Sequence, residues 1–186
     1  MTSLTDRLDA AVAPRAAALQ EGLASPNRNA RTAVVVGRLL GAGFLVVFLT
    51  GLYSHVLQDP LPWMTFPTRP TWLYQVSQGI HVMVGTALIP LVLAKLWVVY
   101  PRLFDWPPVT SPLHALERLS IGLLVSTALL EPFIGLVNTF QWYPWPFPFR
   151  ETHYALAWVL VGSIVLHVAA KLPLIVSLWR KGGEGR

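Results

Sequence analysis

Four apolar runs, each long enough to cross a lipid bilayer, constrain this chain more than any other feature. A spanning helix needs about 20 predominantly apolar residues. The segments at about 33–57, 73–100, 116–139 and 152–179 meet that length. Each is too long for a strand and too apolar for the surface helix of a water-soluble domain. Composition agrees, since 54% of the 186 residues are hydrophobic and only 12% charged, against about 25% charged in an ordinary soluble domain. Disorder is excluded by eight Trp, eight Phe and five Tyr, because a chain so rich in aromatics buries them. The expected fold is therefore an all-α, integral membrane four-helix bundle over residues 31–180. An N-terminal segment, 1–30, and a tail, 181–186, flank it.

Basic residues orient the bundle. Arg7, Arg15, Arg28 and Arg31 precede the first span, Arg102 and Arg118 lie between the second and third, and Arg180, Lys181 and Arg186 follow the fourth. The other two connections hold one basic residue each, Arg69 and Arg150. The positive-inside rule then makes both termini cytoplasmic, in a multi-pass protein of a bacterial cytoplasmic membrane. The net charge of +5 is divided among membrane-edge segments, a pattern unsuited to nucleic acid. Residues 1–30 have no apolar core of signal-peptide length and read as a short cytoplasmic helix ending near Pro26-Asn27. Two outer connections, 59–70 and 141–149, are dense in proline and aromatics. They suit either headgroup anchoring or a platform for an extracytoplasmic partner.

The chain has no cysteine and five histidines. That excludes disulfides, thiolate zinc sites, iron–sulfur clusters and covalent c-type haem, and leaves imidazole as the soft ligand. Intramembrane polar residues are functional candidates because their burial is costly. His153 and His167, both on the fourth helix, are 14 residues apart. Fourteen steps return to within about 40° of the same face, roughly 21 Å further along the axis. That separation prevents one zinc ion from using both, and it suits two stacked haems. The candidate axial ligands are thus His55, His81, His153 and His167, with His114 an interfacial residue at the start of the third helix. Pairing His55 with His153 and His81 with His167 leaves Lys95 near the cytoplasmic headgroups. The alternative joins His81 to His153, and a single haem on that pair is its simplest form.

A flat macrocycle also needs room and counter-charge. Gly51 and Gly85 lie one helical turn from His55 and His81 and are candidates for a porphyrin slot; close helix packing explains such glycines equally well. Arg38, Lys95 and Lys171 are the candidate partners for haem propionates. Glu131, ahead of Pro132, is the candidate for proton transfer, or else a carboxyl hydrogen-bonded at a proline interruption.

The residues Arg150-Glu-Thr-His153-Tyr154 and His167 on the last of four helices resemble the membrane cytochrome b subunits of formate dehydrogenases and nickel–iron hydrogenases. The stretches Thr50-Gly-Leu-Tyr-Ser-His55, Gln78-Gly-Ile-His81-Val, Ala94-Lys-Leu-Trp97, Tyr100-Pro-Arg-Leu-Phe104 and Trp142-Tyr-Pro-Trp145 are similar to an actinobacterial cytochrome b. That group accompanies, or is fused to, molybdopterin-dependent oxidoreductases. The resemblance covers residues 33–180 and differs in the first-helix histidine, which the formate dehydrogenase type carries at the opposite end. It implies a respiratory-chain subunit that passes electrons between quinone and a partner oxidoreductase through two b haems. His81, His153 and His167 match its ligand pattern. Catalysis would belong to the partner, with this chain as anchor and wire; a non-redox scaffold or transporter module is the reading from another class.

Overall fold

The computed structural model describes residues 4–66 and 69–183. Five α-helices carry the chain: α1 (Leu4–Gly22), α2 (Ala30–Gln58), α3 (Trp72–Val99), α4 (Pro112–Thr139) and α5 (Phe149–Gly183). A short 3-10 helix, Tyr100–Phe104, follows α3, and no strand occurs among the described residues. Helices α2 to α5 are long and apolar enough to cross a membrane. Their ends fall within a few residues of the expected spans, and the differences trace to capping and to the last helix. Asn29 Oδ1 accepts from the Thr32 amide at 2.8 Å and starts α2 ahead of its apolar run. Ser111 Oγ accepts from the His114 amide at 3.1 Å, with Pro112 at the first position of α4. Residues 181–183, expected in a separate tail, continue α5, and 184–186 lie outside the described residues.

Helix α1 is not a fifth span. It ends at Gly22, a few residues before Pro26, and lies against the α3–α4 connection. Trp106 Nε1 donates to Asp9 Oδ1 at 2.8 Å, and Gln20 bonds Asp105. The N-terminal segment and the basic Arg102–Arg118 connection therefore share one end of the molecule.

The bundle closes as a ring. α2 packs on α3, α3 on α4, α4 on α5 and α5 on α2, while neither diagonal pair approaches backbone to backbone among the described residues. Side chains from all four helices fill the centre: Leu40 and Phe44 from α2, Leu88 and Val92 from α3, Ala128 from α4 and Leu160 from α5. Without water to drive association inside a membrane, close van der Waals packing holds such a core, and small residues permit it. Gly43 is the tight point, since a Cβ there would stand 2.6 Å from Leu88 Cδ2. The hydroxyls of Thr50, Thr86, Thr127 and Thr139 donate to carbonyls one turn back, so these four are satisfied within their own helices.

Helix α4 ends in a Schellman turn, in which Gln141 N–H donates to Asn138 O at 3.0 Å and Trp142 N–H to Val137 O at 3.1 Å. Gln141 takes the left-handed conformation, φ 53°, that glycine usually fills. The chain then stacks Trp145, Phe147 and Phe149 on one another. Phe149 is buried against Ile134 and Val137, while Trp142 and Tyr143 are exposed.

Leu88→Ala is expected to cost about 2–5 kcal/mol of bundle stability, measured by denaturant titration of helical circular dichroism in detergent. Gly43→Ala should cost about 1–3 kcal/mol through overpacking. That cost should shrink when Leu88→Ala is already present, because the two changes act on one contact.

Candidate functional site

The four helices repeat one spacing on their inward faces. Phe44 and Gly51, His81 and Leu88, Ala128 and Gly135, and His153 and Leu160 are each seven residues apart. Seven residues are about two turns, or roughly 10.5 Å, and return to nearly the same face. One layer is thus the apolar core. The other is a ring of Gly51, His81, Gly135 and His153, in which histidine occupies one diagonal and glycine the other.

Each imidazole rests on the neighbouring helix's glycine. A Cβ on Gly51 would stand 2.9 Å from His81 Cε1, and one on Gly135 would stand 3.2 Å from His153 Cε1. The missing side chains make room for rings to turn inward. Across the open diagonal, His81 and His153 meet edge-on with centroids 6.1 Å apart and an interplanar angle of 82°.

Both rings turn Nδ1 towards an oxygen, but only His81 is hydrogen-bonded through it. His81 Nδ1 lies 2.9 Å from the Val47 carbonyl and 3.1 Å from Thr50 Oγ1. A carbonyl oxygen only accepts, so Nδ1 carries the hydrogen and Nε2 the lone pair. His153 Nδ1 lies 2.8 Å from Glu131 Oε2, at ion-pair distance but off the hydrogen-bond direction. Glu131 is only 5% exposed, and its Oε1 has no hydrogen-bond partner among the described residues. Neither Nε2 makes a hydrogen bond among them.

Around these rings lies a cavity of about 260 Å³, just under the range of about 300–1,000 Å³ usual for small-molecule sites. Phe44, Leu88 and Leu160 of the core form its floor, and it reaches the helix ends at Gln58, Thr139 and Arg150. Gln78 Nε2, one turn from His81, is buried there without a partner, so the wall carries an orphan donor as well as the orphan Glu131 acceptor. At the mouth, His55 stacks flat on Tyr154, with centroids 3.6 Å apart and planes 7° apart. Arg150 reaches Gln58 at 3.4 Å and pairs with Glu151 at 3.0 Å.

Three expected residues therefore gather in one site: His55, His81 and His153, with Glu131 beside them. The pairing of His55 with His153 and of His81 with His167 does not match this arrangement. His81 faces His153 rather than His167, because His81 stands two turns above Leu88 and His153 two turns above Leu160 in the same layer. His55 lines the same cavity but turns its face to Tyr154 instead of His153. His167 lies two turns beyond Leu160 on the far side of the core. It is within electrostatic reach of Lys95, Lys171 and Glu117, and no second imidazole is in ring contact with it among the described residues.

The expected counter-charges lie at that far end as well. Lys95 Nζ donates to the Ala33 carbonyl, in the first turn of α2, and sits 3.3 Å from where a Cβ on Gly37 would be. Lys171 is paired with Glu117. Arg38 is exposed and does not line the cavity. Gly51 serves the ring of His81, not of His55, and Gly85 lines the cavity where a Cβ would meet only Val47, at 4.0 Å. His114 is held by Thr110 and the α4 cap. Arg150, Gly135, Tyr154 and Gln78 belong to the site and were not anticipated in it. Their signals were the three-residue step from Arg150 to His153 and from Gln78 to His81, and the seven-residue step from Ala128 to Gly135.

Comparison of the chain with protein-family models, with curated proteins and with solved structures finds no match.

Gly51→Val and Gly135→Val are each expected to displace an imidazole and to cost about 1–3 kcal/mol, measured by thermal unfolding in detergent. Gly85→Ala, which meets only an ordinary contact, should change stability by no more than about 1 kcal/mol, with helix propensity favouring the alanine.

Proposed function

We propose that this chain is a membrane b-type cytochrome that carries single electrons for a partner oxidoreductase, with one haem held between His81 and His153. The observation that carries the reading is the imidazole pair across the open diagonal. Two metal–nitrogen bonds of about 2 Å plus the ring radii put opposed imidazole centroids about 6 Å apart, and the rings here are 6.1 Å apart. His81 Nδ1 is bonded to the Val47 carbonyl and His153 Nδ1 lies 2.8 Å from Glu131 Oε2, oxygens on neighbouring helices of the kind that orient a ligating histidine and direct Nε2 to a metal. The orphan polar atoms of Gln78 and Glu131 add polar groups awaiting partners to an otherwise apolar wall.

A b haem bound there would supply reversible one-electron transfer, with its potential set by axial ligation, burial and hydrogen bonding. The protein's own part is to hold two imidazoles in fixed orientation and to exclude water with Phe44, Leu88 and Leu160. With both axial positions filled by side chains, no position would remain for oxygen or substrate chemistry at the metal. Arg150, at the mouth, is the cation suited to a propionate there, in place of Arg38, Lys95 and Lys171. Glu131 remains the candidate for proton transfer to or from quinol. The two-haem expectation requires a ligand partner for His167, and the observed geometry favours the single-haem form.

The distribution of arginines supports a membrane orientation. Arg28, Arg31, Arg102 and Arg118 cluster at the Lys95 end, and Arg69 and Arg150 stand at the histidine end. By the positive-inside rule the Lys95 end and both termini face the cytoplasm of a bacterial inner membrane. The histidine site then lies toward the outer face, where an extracytoplasmic redox partner, molybdopterin-dependent if the resemblance holds, would meet the aromatic connections.

Protein purified in detergent should show a Soret band and sharp reduced α band, with one haem per chain by pyridine haemochrome assay. His81→Ala and His153→Ala should each abolish the low-spin spectrum, and His167→Ala should leave it unchanged. Absence of a Soret band in the wild type, after expression with sufficient haem supply, overturns the cytochrome reading. Two haems per chain, one lost with His167→Ala, would restore the two-centre form.

A further inference from the structure

The two facing histidines have different acceptors behind them. His81 Nδ1 donates to a neutral carbonyl, Val47 O at 2.9 Å, with the Thr50 hydroxyl at 3.1 Å. His153 Nδ1 stands 2.8 Å from a carboxyl oxygen of Glu131, at ion-pair distance and off the hydrogen-bond direction, so that a small turn of either side chain would make the bond. That carboxyl is almost sealed from solvent, its second oxygen is unpartnered, and the helix carrying it is interrupted at the next residue by Pro132. Proline has no amide hydrogen, so the Ala128 carbonyl one turn back loses its helical donor. Burying a carboxyl within a membrane-spanning bundle is costly, and general packing gives no reason for it. Its position is specific: Glu131 and Gly135 are one turn apart on one face, and His153 touches both. Gly135 lets the ring in, and Glu131 holds its back.

We infer that Glu131 is a positioning residue that orients His153 and makes it the more electron-donating of two unequal axial ligands, holding the haem potential down. The inference rests on the cytochrome reading. Charge-assisted acceptors bind an N–H roughly twice as strongly as neutral ones, and an acceptor behind a ligating imidazole raises its basicity toward the metal. More electron density at the ligand stabilises the oxidised metal over the reduced metal. No covalent step is involved. The asymmetry also predicts which ligand carries the effect, since the Val47 contact is backbone and survives substitution at either side chain.

The test is potentiometric titration of the detergent-purified holoprotein, followed by its visible and low-temperature electron paramagnetic resonance spectra. Glu131→Gln keeps size and a hydrogen-bonding side chain and removes the carboxyl. It should retain the low-spin bis-imidazole spectrum, shift its g values, and raise the midpoint potential by about one tenfold step in the redox equilibrium, which is about 59 mV for one electron. Thr50→Val, behind His81, should move the potential less. Glu131→Asp should return part of the shift. An unchanged potential in Glu131→Gln with the low-spin spectrum intact overturns the inference while the cytochrome reading stands. Loss of haem from both Glu131→Gln and Glu131→Asp, with helical content retained, assigns Glu131 to assembly of the pocket and overturns it as well. Absence of haem from the wild type overturns the underlying reading instead.

Discussion

The structure turns on the packing of an imidazole against a glycine on the adjacent helix, made twice. Four helices arranged as a ring leave their diagonals open, and what fills a diagonal depends on side-chain length. In the core layer, leucine and phenylalanine fill it and exclude everything else. Two turns away, histidine on α3 and α5 alternates with glycine on α2 and α4, and the diagonal is filled only in part. The glycines do not serve as flexible points, since both lie in regular helix. They provide depth, since a Cβ at Gly51 or Gly135 would stand 2.9 or 3.2 Å from the ring that rests there. The cavity is the space left by that alternation.

Polar groups in a bilayer have few acceptable partners, and this chain divides them between its two ends. At the histidine end the partners are a backbone carbonyl, a threonine hydroxyl and a buried carboxyl, all oxygen acceptors placed behind Nδ1. At the other end they are cation with carbonyl and cation with carboxylate: Lys95 on Ala33 and Lys171 on Glu117. Arg28 adds a face-on contact with Trp97 at 4.5 Å from the ring centroid. Lysines so engaged are unavailable to the cavity, which lies beyond the apolar core. The distinction between the ends is therefore built into the packing as well as into the charge distribution.

How much of this was legible in the sequence follows from the kind of interaction involved. The spans were legible because twenty apolar residues in a row have few other uses, and Asn29, Ser111 and Pro112 mark helix starts by chemistry local to a few residues. The histidines were legible as a set for the same reason, being costly inside a membrane. Their pairing was not. Counting turns from each helix's own end places His81 near the depth of His167, but helices in a bundle are registered by side chains that meet. Here Leu88 and Leu160 share the central core with Phe44 and Ala128, and this sets His81 opposite His153. The glycines were misassigned by the same local logic. Gly51 was matched with His55 one turn along its own helix, whereas the recess it leaves is used by His81 of the helix alongside. Gly135 was legible only as one of several glycines that thin the helices, because nothing on its own helix needed the space.

Placement of the imidazole pair toward one end limits what a single centre can do. From His153 to the end of α5 at Gly183 there are 30 residues, about 45 Å of helix. Next to the pair on that side lies a dry apolar core, and beyond the core lie engaged lysines. An electron held at this pair would, on the proposed reading, be close to the His55–Tyr154 mouth and the aromatic turn after α4, and remote from the basic end. On the proposed reading, donor and acceptor both approach the bundle from the histidine end, with quinone entering from the lipid and the partner enzyme from water. Transfer across the whole membrane would need a relay at the depth of His167, about 21 Å further in. There the sequence supplies an imidazole, and the fold surrounds it with Lys95, Lys171 and Glu117 rather than with a second imidazole in ring contact. On that reading, electron exchange would be confined to one side of the membrane.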